Sequence, residues 1–351
     1  MSSTPILYAP NVNIGGGLVL LKSLLNAWPP DMQLRAFLDT RVRGTFDLSA
    51  AVTADWVEPL VLARFAAQRR LRAISRADTT VLCFNGLPPL LPNRGRIVVF
   101  VQNRLHLVNV ASYQYAPKVA LRLAWERFVS HAFRHRVHHY VVQTPSMARA
   151  LARWYGNGAG RAPDIAVVPF AEAVGAQSND NQEATPPKWD FIYVADGLPH
   201  KNHRTLCEAW RLLAEQGIRP RLALTLAPEE TRLLELIAQV RARAEVQIVN
   251  LGRLTHGQVL TLYGSARALI FPSLTESFGL PLVEARQSGL PIIASELDFV
   301  RDVCTPAQTF DPQSAVSIAR AVCRFLNKDE VIAMPAGPRA LWNHVLGMPG
   351  T

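Results

Sequence analysis

FPSLTESFGLPLVEARQSGLPIIAS, residues 271 to 295, is the stretch from which the fold can be read. An apolar run, Ala268 to Phe271, leads into a polar turn with Glu276; Gly279 and Pro281 then open a short helix that carries Glu284 and is closed by Gly289. The order is strand, loop, helix, next strand. In an open α/β sheet ligands sit outside the carboxyl ends of the strands, so this loop faces a crevice. Pro281 suits the first helical position because it has no amide hydrogen to leave unpaired, and Gly279 lets backbone come close to a ligand. The amides of Ser277, Phe278, Gly279 and Leu280 at such a helix start can bind an anion, most simply phosphate.

Two carboxylates flank that anion site. Glu276 precedes the helix, and Glu284 lies roughly 4.5 Å beyond Pro281 along the axis at helical rise. They are too differently placed for one acid/base pair. Each instead suits its own pair of hydroxyls on one ligand, a sugar for Glu276 and a ribose for Glu284. The plainer alternative is a helix-start carboxylate favoured by the dipole and a solvated helix residue.

The string ESFGLPLVE resembles the Glu-x7-Glu signature of retaining glycosyltransferases of family 4. LGRLTHGQVLTLYGSARALIFPS before it, and GLPIIASELDFVRDV and TFDPQS after it, are similar to that family's flanking landmarks. The resemblance implies an α/β chain of GT-B fold, two Rossmann-like doubly wound parallel-sheet domains facing across a cleft. It also implies transfer of a hexose, mannose-like or similar, from a nucleoside diphosphate sugar to a hydroxyl of a glycan or lipid-linked glycan. A setting in bacterial envelope polysaccharide synthesis follows by analogy.

Length and composition agree with two domains. The chain has 351 residues, 49% apolar and 18% charged, which excludes a mainly disordered protein. Its 37 Lys and Arg against 27 Asp and Glu give a net charge of +10, which favours anionic partners. No nucleic-acid motif accompanies that charge, so no nucleic-acid partner is expected. Met1 to Leu21 has no charged side chain but is broken by Pro5, Pro10 and the glycines at 15 to 17, and reads as neither signal peptide nor membrane span. A cytoplasmic location, possible at the inner face of the plasma membrane, is the expectation. Cys83, Cys207, Cys304 and Cys323 are scattered and read as reduced structural thiols.

The expected organisation is an N-terminal, acceptor-side domain over 1–170, a linker over 171–188, a nucleotide-sugar-binding domain over 189–330, and a tail over 331–351 returning toward the first domain. In the first domain PILYAP reads as a strand and NIGGGLVLLKSLLNAW as a glycine loop entering a helix. That loop is not a dinucleotide fingerprint. It is either a tight turn or a place where Gly16 and Gly17 let backbone approach a ligand; the family often carries glycines here, which favours donor contact. RIVVFVQNRLHL reads as a buried strand ending in polar residues. Asn103 and Arg104 are the acceptor-side candidates, and the resemblance makes His106 a catalytic candidate near the transferred sugar.

Residues 60–77 and 118–136 read as basic amphipathic helices, the first with Arg64, Arg69, Arg70, Arg72 and Arg76, the second with Arg122, Arg127, Arg134 and Arg136. They are either solvated faces or a surface resting on anionic lipid. His131, His135, His138 and His139 invite a metal reading, against which stand the missing carboxylate and the favourable placement of cations at a helix end. YVVQTPSMARAL reads as strand, turn and helix with Thr144 or Ser146 as cap, and DIAVVPF as the last strand of the domain.

In the second domain HKNH opens a helix after the strand WDFIYV, which puts Lys201 on the same cleft as Gly279. The resemblance gives Lys201 the donor diphosphate. It would also place an Arg a few residues earlier, where this chain has Asp196, Gly197 and Leu198. Lys201 therefore acts alone or with Arg253, and Arg253 and Leu254 stand where relatives hold the nucleotide base. RLALTL, VQIVNLG, ALIFPS and PIIAS supply further strands, alternating with helices near 204–216, 229–243, 256–265 and 313–327. No Asp-x-Asp triplet occurs, which fits a donor site that needs no divalent metal and no cofactor beyond its donor substrate. Lys201 and Glu276 are the main catalytic candidates. Readings of other classes are a noncatalytic nucleotide-sugar-binding scaffold subunit of a polysaccharide-synthesis complex, an epimerase or phosphorylase on the same fold, and a nucleic-acid binder.

Overall fold

The computed structural model describes residues 4–45, 47–84, 86–107, 115–156, 162–171 and 186–328. The first half runs β1 (Ile6–Ala9), α1 (Gly15–Asn26), β2 (Leu34–Asp39), β3 (Val52–Val57), α2 (Val61–Ile74), β4 (Thr80–Cys83), β5 (Arg96–Phe100), α3 (Pro117–Ala132), β6 (His139–Val142), α4 (Pro145–Gly156) and β7 (Ile165–Val167). The second runs β8 (Trp189–Tyr193), α5 (His203–Glu215), β9 (Leu222–Leu224), α6 (Thr231–Ala244), β10 (Ile248–Asn250), α7 (His256–Tyr263), β11 (Ala266–Phe271), α8 (Leu280–Gln287), β12 (Ile292–Ser295), α9 (Asp298–Arg301), β13 (Gln308–Phe310) and α10 (Ala315–Phe325).

The strands form two all-parallel sheets, ordered β3-β2-β1-β4-β5-β6-β7 and β10-β9-β8-β11-β12-β13. In the first, β1 pairs with both β2 and β4; in the second, β8 pairs with both β9 and β11. The strand order reverses at those two places, and each reversal opens a crevice at the strands' carboxyl ends. The loop from β1 to α1 and the loops after β8 and β11 therefore occupy ligand positions by topology alone.

Buried apolar runs explain the sheets. Phe191, Ile192 and Tyr193 of β8, Leu222 to Leu224 of β9, and Ala268 to Phe271 of β11 are all buried, as expected for strands covered by helices on both faces. The second half has one continuous core, whereas the first sheet carries separate cores on its two faces. All four cysteines lie buried and free within these layers.

The structure shortens some expected elements. The basic helix over 118–136 ends at Ala132, and a separate 3-10 turn, Arg134–Arg136, follows, with the Arg136 guanidinium 4.3 Å from the Phe133 ring centroid. The helix over 60–77 stops at Ile74, where Ser75 becomes extended and returns its hydroxyl to the Leu71 carbonyl at 2.7 Å. β2, β3, β4 and β13 add to the strands singled out above. Most of the expected linker, residues 172–185, and all of the expected tail, 331–351, lie outside the described residues.

Candidate active site

Lys201 is placed by its backbone. The turn Pro199–Lys201 follows β8 and ends at Asn202, which adopts φ 63°, a left-handed conformation that Asn tolerates better than most residues. The Asn202 side chain repays that strain by donating to the carbonyls of Pro272 at 3.1 Å and Pro312 at 2.7 Å. The buried Tyr193 hydroxyl donates to the Lys201 carbonyl at 2.7 Å, and the Leu274 amide donates to the His200 carbonyl at 2.8 Å. The turn is thus tied to the loop after β11.

That loop brings Glu276. Lys201 Nζ donates to Glu276 Oε1 at 2.7 Å, and only 17% and 11% of the two side chains is exposed. Burial alone would lower the Lys201 pKa, but the opposing pull of Glu276 and Asp196 is larger in sum, and the net shift is upward. The ammonium is held charged.

Next to it begins α8. Gly279 is its N-cap at φ 72°, with Leu280 and Pro281 in the first turn. Among the described residues no partner accepts from the amides of Phe278, Gly279 and Leu280. The helix start is open to an anion.

The first half closes over this point. Ser277 Oγ donates to the Gln102 carbonyl at 2.9 Å, and Thr144 Oγ1 donates to the Ser277 carbonyl at 3.1 Å. A Cβ on Gly16 would stand 3.6 Å from Leu280 Cδ2, and one on Gly17 would stand 3.1 Å from Gln102 Oε1. Across the cleft the Tyr115 hydroxyl is 2.9 Å from His200 Nδ1. The Ser146 amide donates to Asp302 at 2.7 Å.

Between the halves lies a cavity of about 180 Å³. Asn103, Arg104, Tyr115 and Arg122 line it from the first half, and Asp196, His200, Lys201, Glu276 and Ser277 from the second. His200 is pushed down to about 4, by burial first and by the Lys201 charge second, so it is a neutral imidazole near neutral pH. Its Nδ1 and the Tyr115 hydroxyl share one hydrogen bond across the cleft.

Other sequence candidates lie elsewhere. His106 is buried behind the cavity, with Nε2 3.0 Å from Glu126 of α3 and 3.2 Å from the Asn103 amide nitrogen. The 3-10 turn Arg104–His106, capped by Asn103, swings it inward. Arg253 is exposed and pairs with Glu229 at 3.5 Å. Leu254 packs against the core, and Phe278 is buried in it.

Glu284 is not a solvated helix residue. It is buried, with one oxygen accepting from the Tyr263 hydroxyl at 2.8 Å and the other 2.9 Å from His256 Nε2. Each carboxylate oxygen keeps a second lone pair.

The histidine cluster divides among separate partners. His131 meets Arg134, His138 Nδ1 accepts from the Ile97 amide at 3.0 Å, and His139 pairs with Asp164 at 2.8 Å. Among the described residues, no group of three or more His, Cys, Asp or Glu could hold a metal ion.

Tyr115, Arg122, His200 and Asp196 are cleft residues that sequence reasoning did not assign. HKNH marks His200, but its partner lies 85 residues away, in a segment without a motif.

Solved structures of other proteins share this architecture. Sucrose-phosphate synthase from Thermosynechococcus elongatus superimposes with a TM-score of 0.64 at 18% identity, covering 93% of this chain and 90% of that one. HepE from Anabaena, in complex with UDP and glucose, does so with a TM-score of 0.62 at 13% identity, covering 92% and 90%. The fold is a two-domain GT-B fold.

Residues 176–335 match the family model described as Glycosyl transferases group 1. The O-antigen chain mannosyltransferase B of Escherichia coli is 31% identical over 143 residues, 39% of this chain and 37% of that protein. This chain thus spans less than half the length of that relative.

Proposed function

We propose that the protein is a glycosyltransferase of polysaccharide synthesis. It moves a hexose from a nucleoside diphosphate sugar to a hydroxyl of a glycan or lipid-linked glycan, with retention of anomeric configuration. The observation that carries the reading is the Lys201–Glu276 pair beside the open start of α8, at one topological switch point and facing the other. The match of residues 176–335 and the likeness to an O-antigen mannosyltransferase support transfer, and favour a mannose-like sugar.

In this reading the donor diphosphate lies on the amides of Phe278, Gly279 and Leu280, with Lys201 as its point charge. Departure of the nucleotide builds negative charge there. Preorganised donors aimed at developing charge are usually the largest catalytic contribution. Glu276, released from Lys201 as phosphate takes its place, accepts from the sugar hydroxyls. The free lone pairs of Glu284 accept from the ribose, while Tyr263 and His256 fix the carboxylate's orientation. The leaving phosphate takes the acceptor proton. Asn103 and Arg104 face the acceptor from the other wall.

His106 acts from behind the wall that Asn103 lines, its Nε2 turned to Glu126 of α3. Arg253 and Leu254 stay in the proposal only as the edge of the base pocket. No metal or further cofactor takes part in it.

The test is binding of UDP, GDP and their sugars followed by thermal shift, then transfer to envelope glycan acceptors. Stabilisation by one nucleotide sugar, lost in Lys201→Ala, is expected. No stabilisation by any nucleotide overturns the reading.

A further inference from the structure

The large apolar side chains exposed on the surface are unevenly distributed. Leu60, Val61, Leu62 and Phe65 are exposed at the start of α2, and Leu121, Trp125 and Phe128 along α3; Val61, Leu62 and Leu121 exceed 70% exposure. The second half contributes only Val249 and Val316 to such residues among those described.

The two helices belong to one face. α2 connects β3 to β4 and α3 connects β5 to β6, crossing in the same direction along the sheet, and right-handed crossovers put both on the same side. They also share a support. The Leu90 amide donates to Gln68 of α2, and the Leu90 carbonyl accepts from Arg136, just beyond α3.

The exposed charge of the two helices has one sign. α2 contains no acidic residue, and the only one in α3 is Glu126, which turns inward to His106. Leu62, Phe65, Arg69 and Arg72 recur at helical spacing, and all four are exposed. On α3, Lys118 and Arg122 stand exposed beside Leu121 and Trp125. Apolar side chains flanked by arginines suit the headgroup and acyl boundary of an anionic bilayer, where Trp and Phe insert and Arg meets lipid phosphate.

α3 also reaches the cleft. Val119, Arg122 and Leu123 line the cavity, while Leu121, Trp125 and Phe128 project from the other side of the helix. We infer that the α2–α3 face docks on an anionic lipid surface and so presents the cleft mouth to acceptors held in that surface. This goes beyond the transfer reading, and the docking stands or falls without any measurement of transfer.

The experiment is flotation of the full chain with vesicles of phosphatidylcholine alone and of phosphatidylcholine with phosphatidylglycerol. The chain is expected to float with the anionic vesicles only, and less at high salt. Leu121→Ser/Trp125→Ser/Phe128→Ser should weaken flotation by at least about a hundredfold, since three inserted apolar side chains are lost. Arg69→Ala/Arg72→Ala should weaken it by roughly fivefold per arginine. Circular dichroism, unchanged in both variants because the side chains are exposed, separates lost docking from lost folding. Failure of the unaltered chain to float with anionic vesicles overturns the inference. So does equal flotation of the triple variant, or a triple variant that changes only the oligomeric state.

Discussion

Lys201 and Glu276, separated by 75 residues, meet at 2.7 Å between two loops at the carboxyl edge of the second sheet. Neither partner is fully solvated, so removing one leaves the other poorly compensated. Lys201→Ala and Glu276→Ala should each lower transfer by about a hundredfold or more, the usual cost of deleting one preorganised donor or acceptor. Lys201→Arg should recover little, because a planar fork does not replace a compact ammonium in this pocket. A transfer assay with near-ultraviolet circular dichroism checks this. Undiminished transfer by either alanine variant would remove both residues from the site.

Acid should weaken the second half through His203. The ring is 3% exposed, lies 4.8 Å from the Tyr193 ring, and both its nitrogens lack partners among the described residues. Burial first, then the Lys201 charge, pushes it from 6.5 down to about 3. A base whose folded value is depressed stays neutral while the unfolded chain takes up a proton. Its contribution is full above about 6.5 and is lost as pH falls toward 3. Urea unfolding of the unaltered chain should therefore lose on the order of 3 kcal/mol more between about pH 7 and pH 4 than that of His203→Phe. Equal acid sensitivity of the two proteins would count against a buried neutral imidazole.

The elements that were legible in the sequence are those whose burial leaves a continuous apolar run. FIY of β8, ALIF of β11 and IIA of β12 are such runs, and each ends at a Gly, Pro or polar turn. β2 and β3 are harder to read because Arg35 and Asp55 interrupt them, and these two form a cross-strand pair at 2.7 Å that only the folded sheet supplies. Gly279 and Lys201 could be placed because topology puts strand ends at a crevice. His106 could not, since a capped turn, absent from the apolar pattern, rotates it toward Glu126. Tyr115 and Asp302 act only across the two halves, and no local spacing encodes that meeting.

Asp302 joins the halves at one helix start. Its carboxylate accepts from the Ser146 amide at 2.7 Å, in the first turn of α4, while Thr144 Oγ1 accepts from the Met147 amide at 3.2 Å. The two side chains, from different halves, share the capping of one helix, and the dipole favours the anion there. Asp302→Ala should speed exchange of the Ser146 amide by about tenfold, the equivalent of one lost cap. Amides in the interior of β8 and β11 should be unaffected. Unchanged exchange at Ser146 would mean the halves are held elsewhere.

Glu284 separates nucleoside binding from phosphate binding. Its carboxylate is oriented by Tyr263 and His256, and its helix position lies beyond the open amides of α8. In the proposed site it touches only the ribose. Glu284→Gln should then weaken UDP or GDP binding by roughly tenfold, one charge-assisted hydrogen bond, and leave pyrophosphate binding unchanged. Tyr263→Phe should act in the same direction and also destabilise the fold by about 1–3 kcal/mol, because a buried carboxylate loses a donor. Calorimetric titration of the two ligands against the three proteins distinguishes these outcomes. If Glu284→Gln weakened pyrophosphate as much as the nucleotide, the carboxylate would be shaping the helix start rather than holding a ribose.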